Sequence, residues 1–257
     1  MSVPRSPLCW IGGKSLLAAE VIKRIPDHET YCEVFAGAAW VLFRKEPSRC
    51  EVINDINGDL VTFYRVLQHH LEEFCRQFKW CLASREWWED WNRQLAAGGL
   101  TDIQRAARFY YVQRMCFGGK VAGRSFGSSP RQRPRINLLR LEEDLSEAHL
   151  RLARVTIERL SWVEFIPRYD RPGTFLYLDP PYWGVEGFYG KGLFAREDFA
   201  RLAGLLAGVQ GKFLLSLNDT PGVRETFRAF EIESVQTRYS VSRQETTAAR
   251  EVFIRNY

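Results

Sequence analysis

The sequence predicts an α/β protein whose single sheet is interrupted by a basic helical insertion. Three observations carry that prediction. Short apolar or aromatic runs bounded by turn residues alternate with helical patterns in both terminal parts of the chain. The alternation stops between residue 79 and about 150. That stretch also has its own charge. From Ile103 to Leu141 there are eight arginines, one lysine and no acidic residue, +9 against a net +5 for the whole chain.

Tyr31–Phe35 reads as a strand, and Ala36-Gly37-Ala38-Ala39 as a tight turn into a helix that reaches Arg44. Cys50–Ile53 reads as a second strand ending at Asn54-Asp55. Strand, small-residue turn, helix, strand is the opening of a Rossmann-like unit. From Leu60 onward, Phe63, Leu67, Leu71, Phe74 and Phe78 keep a helical spacing. Trp80, Trp87, Trp88 and Trp91, the basic block and the glycine-rich run Gly118–Arg124 follow, with helical patterns and no strand. Thr174–Leu178 restores the strands, and Pro180-Pro181 ends that one, because proline has no N–H for a ladder. Then come a helix over Glu197–Leu206, a strand over Phe213–Ser216 and a short helix opened by Pro221-Gly222. Glu231–Arg238 and Glu251–Asn256 read as an antiparallel pair with a polar connection at Ser242–Ala248. The chain thus divides into a sheet domain, residues 1–78 and 155–257, and a helical, basic domain, residues 79–154.

With 257 residues, 46% hydrophobic and 26% charged, the chain has ordinary globular composition and length enough for a sizeable core. No apolar run approaches the ~20 residues that span a bilayer, and the first residues lack a signal-peptide core. A cytoplasmic protein is expected. The six cysteines (9, 32, 50, 75, 81, 116) form no C-x-x-C pair, which argues against a zinc site, and they are expected to be small buried hydrophobes. Phe109, Tyr110, Tyr111, Phe117 and Phe126 interleave the basic block, a mixture that suits a polyanion; the plainer alternative is a solvated basic face.

Gly37 lets a backbone approach a ligand closely, and Asp55 stands where nucleotide-binding sheets place an acid for ribose hydroxyls. Each reads equally well as tight packing or a helix cap when taken singly. One glycine is too few for a pyrophosphate, which speaks against a nicotinamide oxidoreductase. A ligand with a ribose and no phosphate fits better, and S-adenosylmethionine is one. Asp179-Pro180-Pro181-Tyr182 lies on a stiff turn at the carboxyl end of a strand, the edge where open α/β sheets bind ligands. The Asp179 carboxylate and the Pro180 carbonyl would accept both hydrogens of an exocyclic amine, favouring a pyramidal nitrogen and stabilising its developing positive charge. Tyr182 offers a face on which a flipped base stacks, worth ~1–3 kcal/mol.

At these residues the chain resembles the Dam-type (D12 class) DNA adenine N6-methyltransferases, which place the cofactor motif first, the target-recognition region next and D-P-P-Y last. Trp10-Ile11-Gly12-Gly13-Lys14 is similar to the family's W-x-G-G-K. Glu33-Val34-Phe35-Ala36-Gly37-Ala38-Ala39 is similar to E-P-F-x-G-x-G, and Asp55-Ile56-Asn57 to D-I-N. Asp179-Pro180-Pro181-Tyr182 matches the catalytic motif, and Ser216–Thr220 and Glu251–Tyr257 resemble later segments. The likeness spans nearly the whole chain, and the joint occurrence in order makes it specific.

The resemblance implies a Rossmann-like, S-adenosylmethionine-dependent methyltransferase sheet with an inserted target-recognition domain. The implied reaction is direct methyl transfer to a flipped-out adenine N6 in double-stranded DNA, with no membrane and no obligate protein partner. Asp179, Pro180 and Tyr182 would be catalytic. Trp10, Lys14, Asp55 and Asp179 would line the cofactor site, with Asp55 on the ribose hydroxyls and Lys14 facing the cofactor carboxylate or the flipped base. Phe35 and Gly37 would shape the wall around the methionine moiety. Arg114, Lys120, Arg124, Arg131 and Arg133 are the candidates for DNA contacts, mostly to phosphate. Phe126 is the candidate wedge into the base stack, and the loop Gly184–Gly192 the candidate cover over the flipped base. Two positions depart from the pattern. Ala39 replaces the second glycine of the cofactor motif and crowds that wall. Gln113-Arg114 followed by Gly118-Gly119 stands where the family often has Asn-Arg followed by Asn-Gly. A catalytically inactive DNA-binding protein on the same fold and a cytosine-N4 methyltransferase stay open as alternatives. The intact Asp179 and Asp55 disfavour the first. Asp179 disfavours the second, since that class usually has Ser or Asn there.

Overall fold

The structure, a computed structural model, describes residues 6–10, 17–121, 123–127, 134–189, 192–242 and 245–257, with backbone alone for 188–189, 236–242 and 245–250. After α1 (Ala18–Ile22) come β1 (Thr30–Glu33), α2 (Trp40–Arg44), β2 (Cys50–Asn54) and α3 (Gly58–His69). Helices α4 (Leu71–Arg76), α5 (Arg85–Ala97), α6 (Asp102–Met115) and α7 (Leu141–Leu152) follow, with no strand among the described residues beyond a single bridge, Cys116 to Phe126. The sheet then resumes with β3 (Val155–Glu158), α8 (Trp162–Tyr169), β4 (Thr174–Leu178), α9 (Arg196–Leu206), β5 (Lys212–Asn218), α10 (Pro221–Thr226), β6 (Glu231–Ser242) and β7 (Glu245–Arg255).

The strand order is β3-β2-β1-β4-β5-β7-β6. The first five in that order run parallel, and β7 is wedged antiparallel between β5 and β6. From β1 the chain winds outward to β3, and from β4 it winds the other way. β1 and β4 therefore form the switch point, whose carboxyl edge is the place for a ligand. Every residue of β4 is buried, as a parallel strand covered on both faces must be.

Two apolar clusters cover the sheet. On one face Tyr31, Phe175 and Tyr177 meet α1–α3, and the cluster continues into α5–α7 without a gap. Phe63 of α3 stacks on Tyr110 of α6, ring centres 5.5 Å apart and 13° from parallel. The opposite face, with Leu176, Leu178, Phe213 and Leu215, packs on α8–α10. The helical segment thus shares the core of the sheet. A buried ion cluster adds a polar tie. Glu51 of β2 accepts from Lys45 Nζ at 2.5 Å and from both terminal nitrogens of Arg151 on α7, one of them at 2.8 Å.

Some expectations need correction. The helical run from Leu60 breaks at His70, whose φ of −136° is not helical, giving α3 and α4. The polar connection at Ser242–Ala248 is mostly strand: β6 reaches Ser242 and β7 starts at Glu245. Val241, Thr246 and Thr247 are β-branched and suit a strand whatever their polarity. The cysteines are only partly buried: Cys32, Cys81 and Cys116 are, Cys9 and Cys75 are half-buried, and Cys50 is exposed where β2 enters from solvent. Among the described residues no helix is long and apolar enough to cross a membrane.

Candidate active site

β1, β2 and β4 bring three acids to one open cleft at the carboxyl edge of the sheet. Glu33 ends β1, Asp55 follows β2 and Asp179 follows β4. Trp10, Phe35 and Phe194 supply aromatic wall. Among the described lining residues there is no lysine or arginine. Such a cleft suits a cationic or neutral ligand and disfavours a diphosphate.

The loops after β1 and β2 are tied together beneath the cleft. Asp55 Oδ2 accepts the Gly37 N–H at 3.0 Å, and Oδ1 accepts the Asn57 N–H at 2.9 Å. Burial raises the Asp55 carboxyl, opposed by the N–H groups of Asn57, Gly37 and Ile56. Asn57 then caps α3 by accepting from Asp59 and Leu60. Asn54 bonds the carbonyls of Val34 and Leu160, fixing the ends of three strands. Gly37 has φ +48°, and a Cβ there would stand 3.0 Å from the Trp10 indole. It is a cradle that only glycine fills without displacing Trp10.

Ala39 is the one non-glycine with positive φ among the described residues, at +49°. The position asks for glycine on backbone grounds, besides any crowding by its methyl group. Ala39→Gly should relieve about 1–2 kcal/mol of left-handed strain and lose about 0.4–1 kcal/mol through a freer unfolded chain. A net gain of about 0.5–1 kcal/mol in urea unfolding is expected; a lowered midpoint would show that the fold relaxes this turn.

Glu33 is 2% exposed. Its Oε1 accepts the Tyr31 hydroxyl at 2.9 Å and the Leu42 N–H at 2.7 Å. Burial pushes its carboxyl up to about 7, and nearby Asp179 adds to the rise. Across the cleft Ser216 Oγ donates to Asp179 Oδ1 at 3.1 Å. Asp179 and Pro181 line the cleft, Pro180 is buried, and Tyr182 is half-buried at the edge of the α8–α10 cluster. Ile56, Val121, Leu193 and Phe194 also line the cleft. Sequence reading singled out none of them for a role. The 43% exposure of Ile56 is the kind of signal that marks such a wall.

The residues expected at DNA separate in the fold. Lys120 is exposed. Gln113, fully buried, donates to the carbonyls of Cys9 at 3.0 Å and Gly119 at 2.7 Å, latching the Trp10 segment onto α6. Arg114 bonds the Arg135 carbonyl at 2.8 Å. Arg124 is half-buried, its guanidinium 5.7 Å from the Phe109 ring centre. Phe126 packs edge-on to Trp88 beneath Arg85. Phe117, in contrast, is 58% exposed. Lys14, Arg131 and Arg133 lie outside the described residues.

Residues 10–241 match the family model described as D12 class N6 adenine-specific DNA methyltransferase. The chain is 25% identical over 237 residues to the type II methyltransferase M.CviBI of Paramecium bursaria Chlorella virus NC1A, covering 90% of this chain and 89% of that protein. It is 29% identical over 262 residues to the DNA N-6-adenine-methyltransferase of Escherichia phage P1, covering 93% of this chain and 33% of that protein. It is 26% identical over 262 residues to the DNA adenine methylase of Vibrio cholerae, covering 95% and 92%.

Proposed function

The chain belongs to the D12 class of N6 adenine-specific DNA methyltransferases, and from that premise we propose that Asp179, Pro180 and Tyr182 carry out the transfer on a flipped-out adenine of double-stranded DNA. The observation that carries this reading is that β4 delivers Asp179 into the same cleft as Gly37 and Asp55. Family and sheet order imply S-adenosylmethionine. The cleft fits it: the Gly37 cradle, three acids and no described cation suit a ribose-bearing, net-cationic group. Bound there, the group supplies an electrophilic methyl on sulfur. Asp55 would hold the ribose hydroxyls, Phe35 and Gly37 the methionine side, and Trp10 would close the wall over Gly37. Lys14 would face the cofactor carboxylate or the base.

The Asp179 carboxylate and the Pro180 carbonyl accept hydrogen bonds from the two amino hydrogens, turn the nitrogen lone pair out of the ring and balance the positive charge that develops on nitrogen until one proton is released to solvent. Tyr182 stacks the base. Residues 79–154 form the target-recognition unit, and the enzyme works in the cytoplasm, where DNA is at hand. The test is plasmid DNA incubated with purified protein and S-adenosylmethionine, read by sequencing that separates N6-methyladenine from N4-methylcytosine. Methyladenine in one sequence context supports the reading; bound cofactor without methylated DNA would sink it.

Lys120, Arg124, Arg131 and Arg133 would follow the phosphates, while Arg114 with its protein partners would shape the surface. The exposed Phe117 is a better candidate than Phe126 to enter the base stack. Lys120→Ala should reduce the slope of log affinity against log salt by about 1. An unchanged slope would take Lys120 off the DNA face.

A further inference from the structure

We infer that β5 supplies the second half of the catalytic device: Ser216 and Asn218 are positioning residues that lock the segment Asp179–Trp183 from the neighbouring strand. The inference rests on the role proposed for Asp179. Pro180 and Pro181 have no N–H, so pairing between β4 and β5 cannot continue as a ladder past them. The register of the pair ends at Leu178 opposite Leu215. Beyond that point β5 holds the catalytic segment through side chains. Ser216 and Asn218 are two residues apart and share one face of the strand. Ser216 is fully buried. Its Oγ lies 3.1 Å from Asp179 Oδ1, 3.4 Å from the Leu178 carbonyl and 3.3 Å from the Tyr177 hydroxyl. Asn218 acts as a stand-in peptide: its Oδ1 accepts the Trp183 N–H and its Nδ2 donates to the Trp183 carbonyl, both at 3.0 Å.

Trp183 is seated by other elements as well. Gly222 leaves the space its indole fills, since a Cβ there would come within 2.2 Å of the ring. The Arg196 guanidinium lies 4.1 Å from the indole centre, and Phe199 packs 4.9 Å away. Asp179 and Trp183 are therefore pinned at both ends of a five-residue segment, and Tyr182 is oriented between them. Transfer to a poor nucleophile depends on such placement, because about 1 Å of misalignment slows a reaction about 100-fold.

The experiment compares Ser216→Ala, Ser216→Thr, Asn218→Ala and Asn218→Asp in single-turnover methylation of plasmid DNA, with enzyme in excess. Equilibrium binding of S-adenosylmethionine and of DNA is measured beside it. Ser216→Ala is expected to slow transfer about 10- to 100-fold with both affinities unchanged, and Ser216→Thr, which keeps the hydroxyl, to recover most of the rate. Asn218→Ala should act similarly. Asn218→Asp should fall between, since a carboxylate accepts from Trp183 but cannot donate to its carbonyl. Wild-type rates in both alanine variants would overturn the inference. So would losses that follow weakened cofactor binding, or threonine and aspartate variants as slow as the alanines. If Asp179→Ala is strongly impaired while Ser216→Ala and Asn218→Ala are fully active, the inference alone fails; a fully active Asp179→Ala removes the reading on which it rests.

Discussion

Asp179→Ala is expected to slow methyl transfer about 100- to 1,000-fold while leaving DNA binding nearly intact. The carboxylate is the one charged acceptor of the turn Asp179–Tyr182, and it enters the cleft beside the proposed cofactor wall. Losing one preorganised electrostatic partner at a reacting centre slows catalysis about 10²- to 10³-fold. The alanine also removes the acceptor of Ser216, whose hydroxyl retains the Leu178 carbonyl at 3.4 Å as a partner. Asp179→Asn keeps an acceptor and loses the charge, so its residual rate separates hydrogen bonding from charge stabilisation. The check is single-turnover methylation together with a DNA titration. Transfer at the wild-type rate in the alanine variant would remove Asp179 from the mechanism.

Glu51→Ala is expected to destabilise the fold by about 3–5 kcal/mol, the usual penalty for leaving buried charges without their partner. Glu51 is buried between Lys45, also buried, and Arg151. Truncation would strand two cations between α2, β2 and α7. Burial alone would raise the Glu51 carboxyl, but hydrogen bonds from Arg151 and Lys45 outweigh it and hold it below the ordinary value. A carboxyl lowered in the folded state contributes stability above its unfolded value of 4.5, and that contribution fades as pH falls through the lower, folded value. Urea unfolding at pH 7 should show the full loss in the variant. As pH falls below 4.5 and through the lower, folded value, the gap between wild type and variant should narrow. A gap independent of pH would mean that packing, not charge, accounts for it.

Much of the sheet was legible because its central strands are short apolar runs stopped by turn residues. Thr174–Leu178 before two prolines is the clearest, and it is buried throughout. β3 was not legible: Val-Thr-Ile-Glu is a four-residue edge strand of mixed polarity. Nor was α8, although Ser161 and Glu164 form a capping box, because Pro167 in its last turn reads as a break. At the site, Gly37, Asp55 and Asp179 sit in local motifs, and motifs survive in one dimension. The Ser216–Asp179 contact joins residues 37 apart and exists only because β4 and β5 pair. Phe117 and Phe126 look alike in the basic block; Trp88 and Arg85 decide which ring is covered.

The adjacency of β1 and β4 also governs how the enzyme comes into being. Thr30 and Thr174 are paired across that junction, 144 positions apart (174 − 30). On a ribosome that releases the amino end first, the loops carrying Gly37 and Asp55 are made long before Asp179. Closing so long a loop is unfavourable, and each doubling of its length adds about 0.6 kcal/mol. Contacts such as Phe63 with Tyr110 lie nearer in sequence and cost less loop-closure entropy. The segment proposed to read DNA thus also supplies much of the apolar cover that holds the two halves of the sheet together. The cleft between them is complete only when β4 docks beside β1.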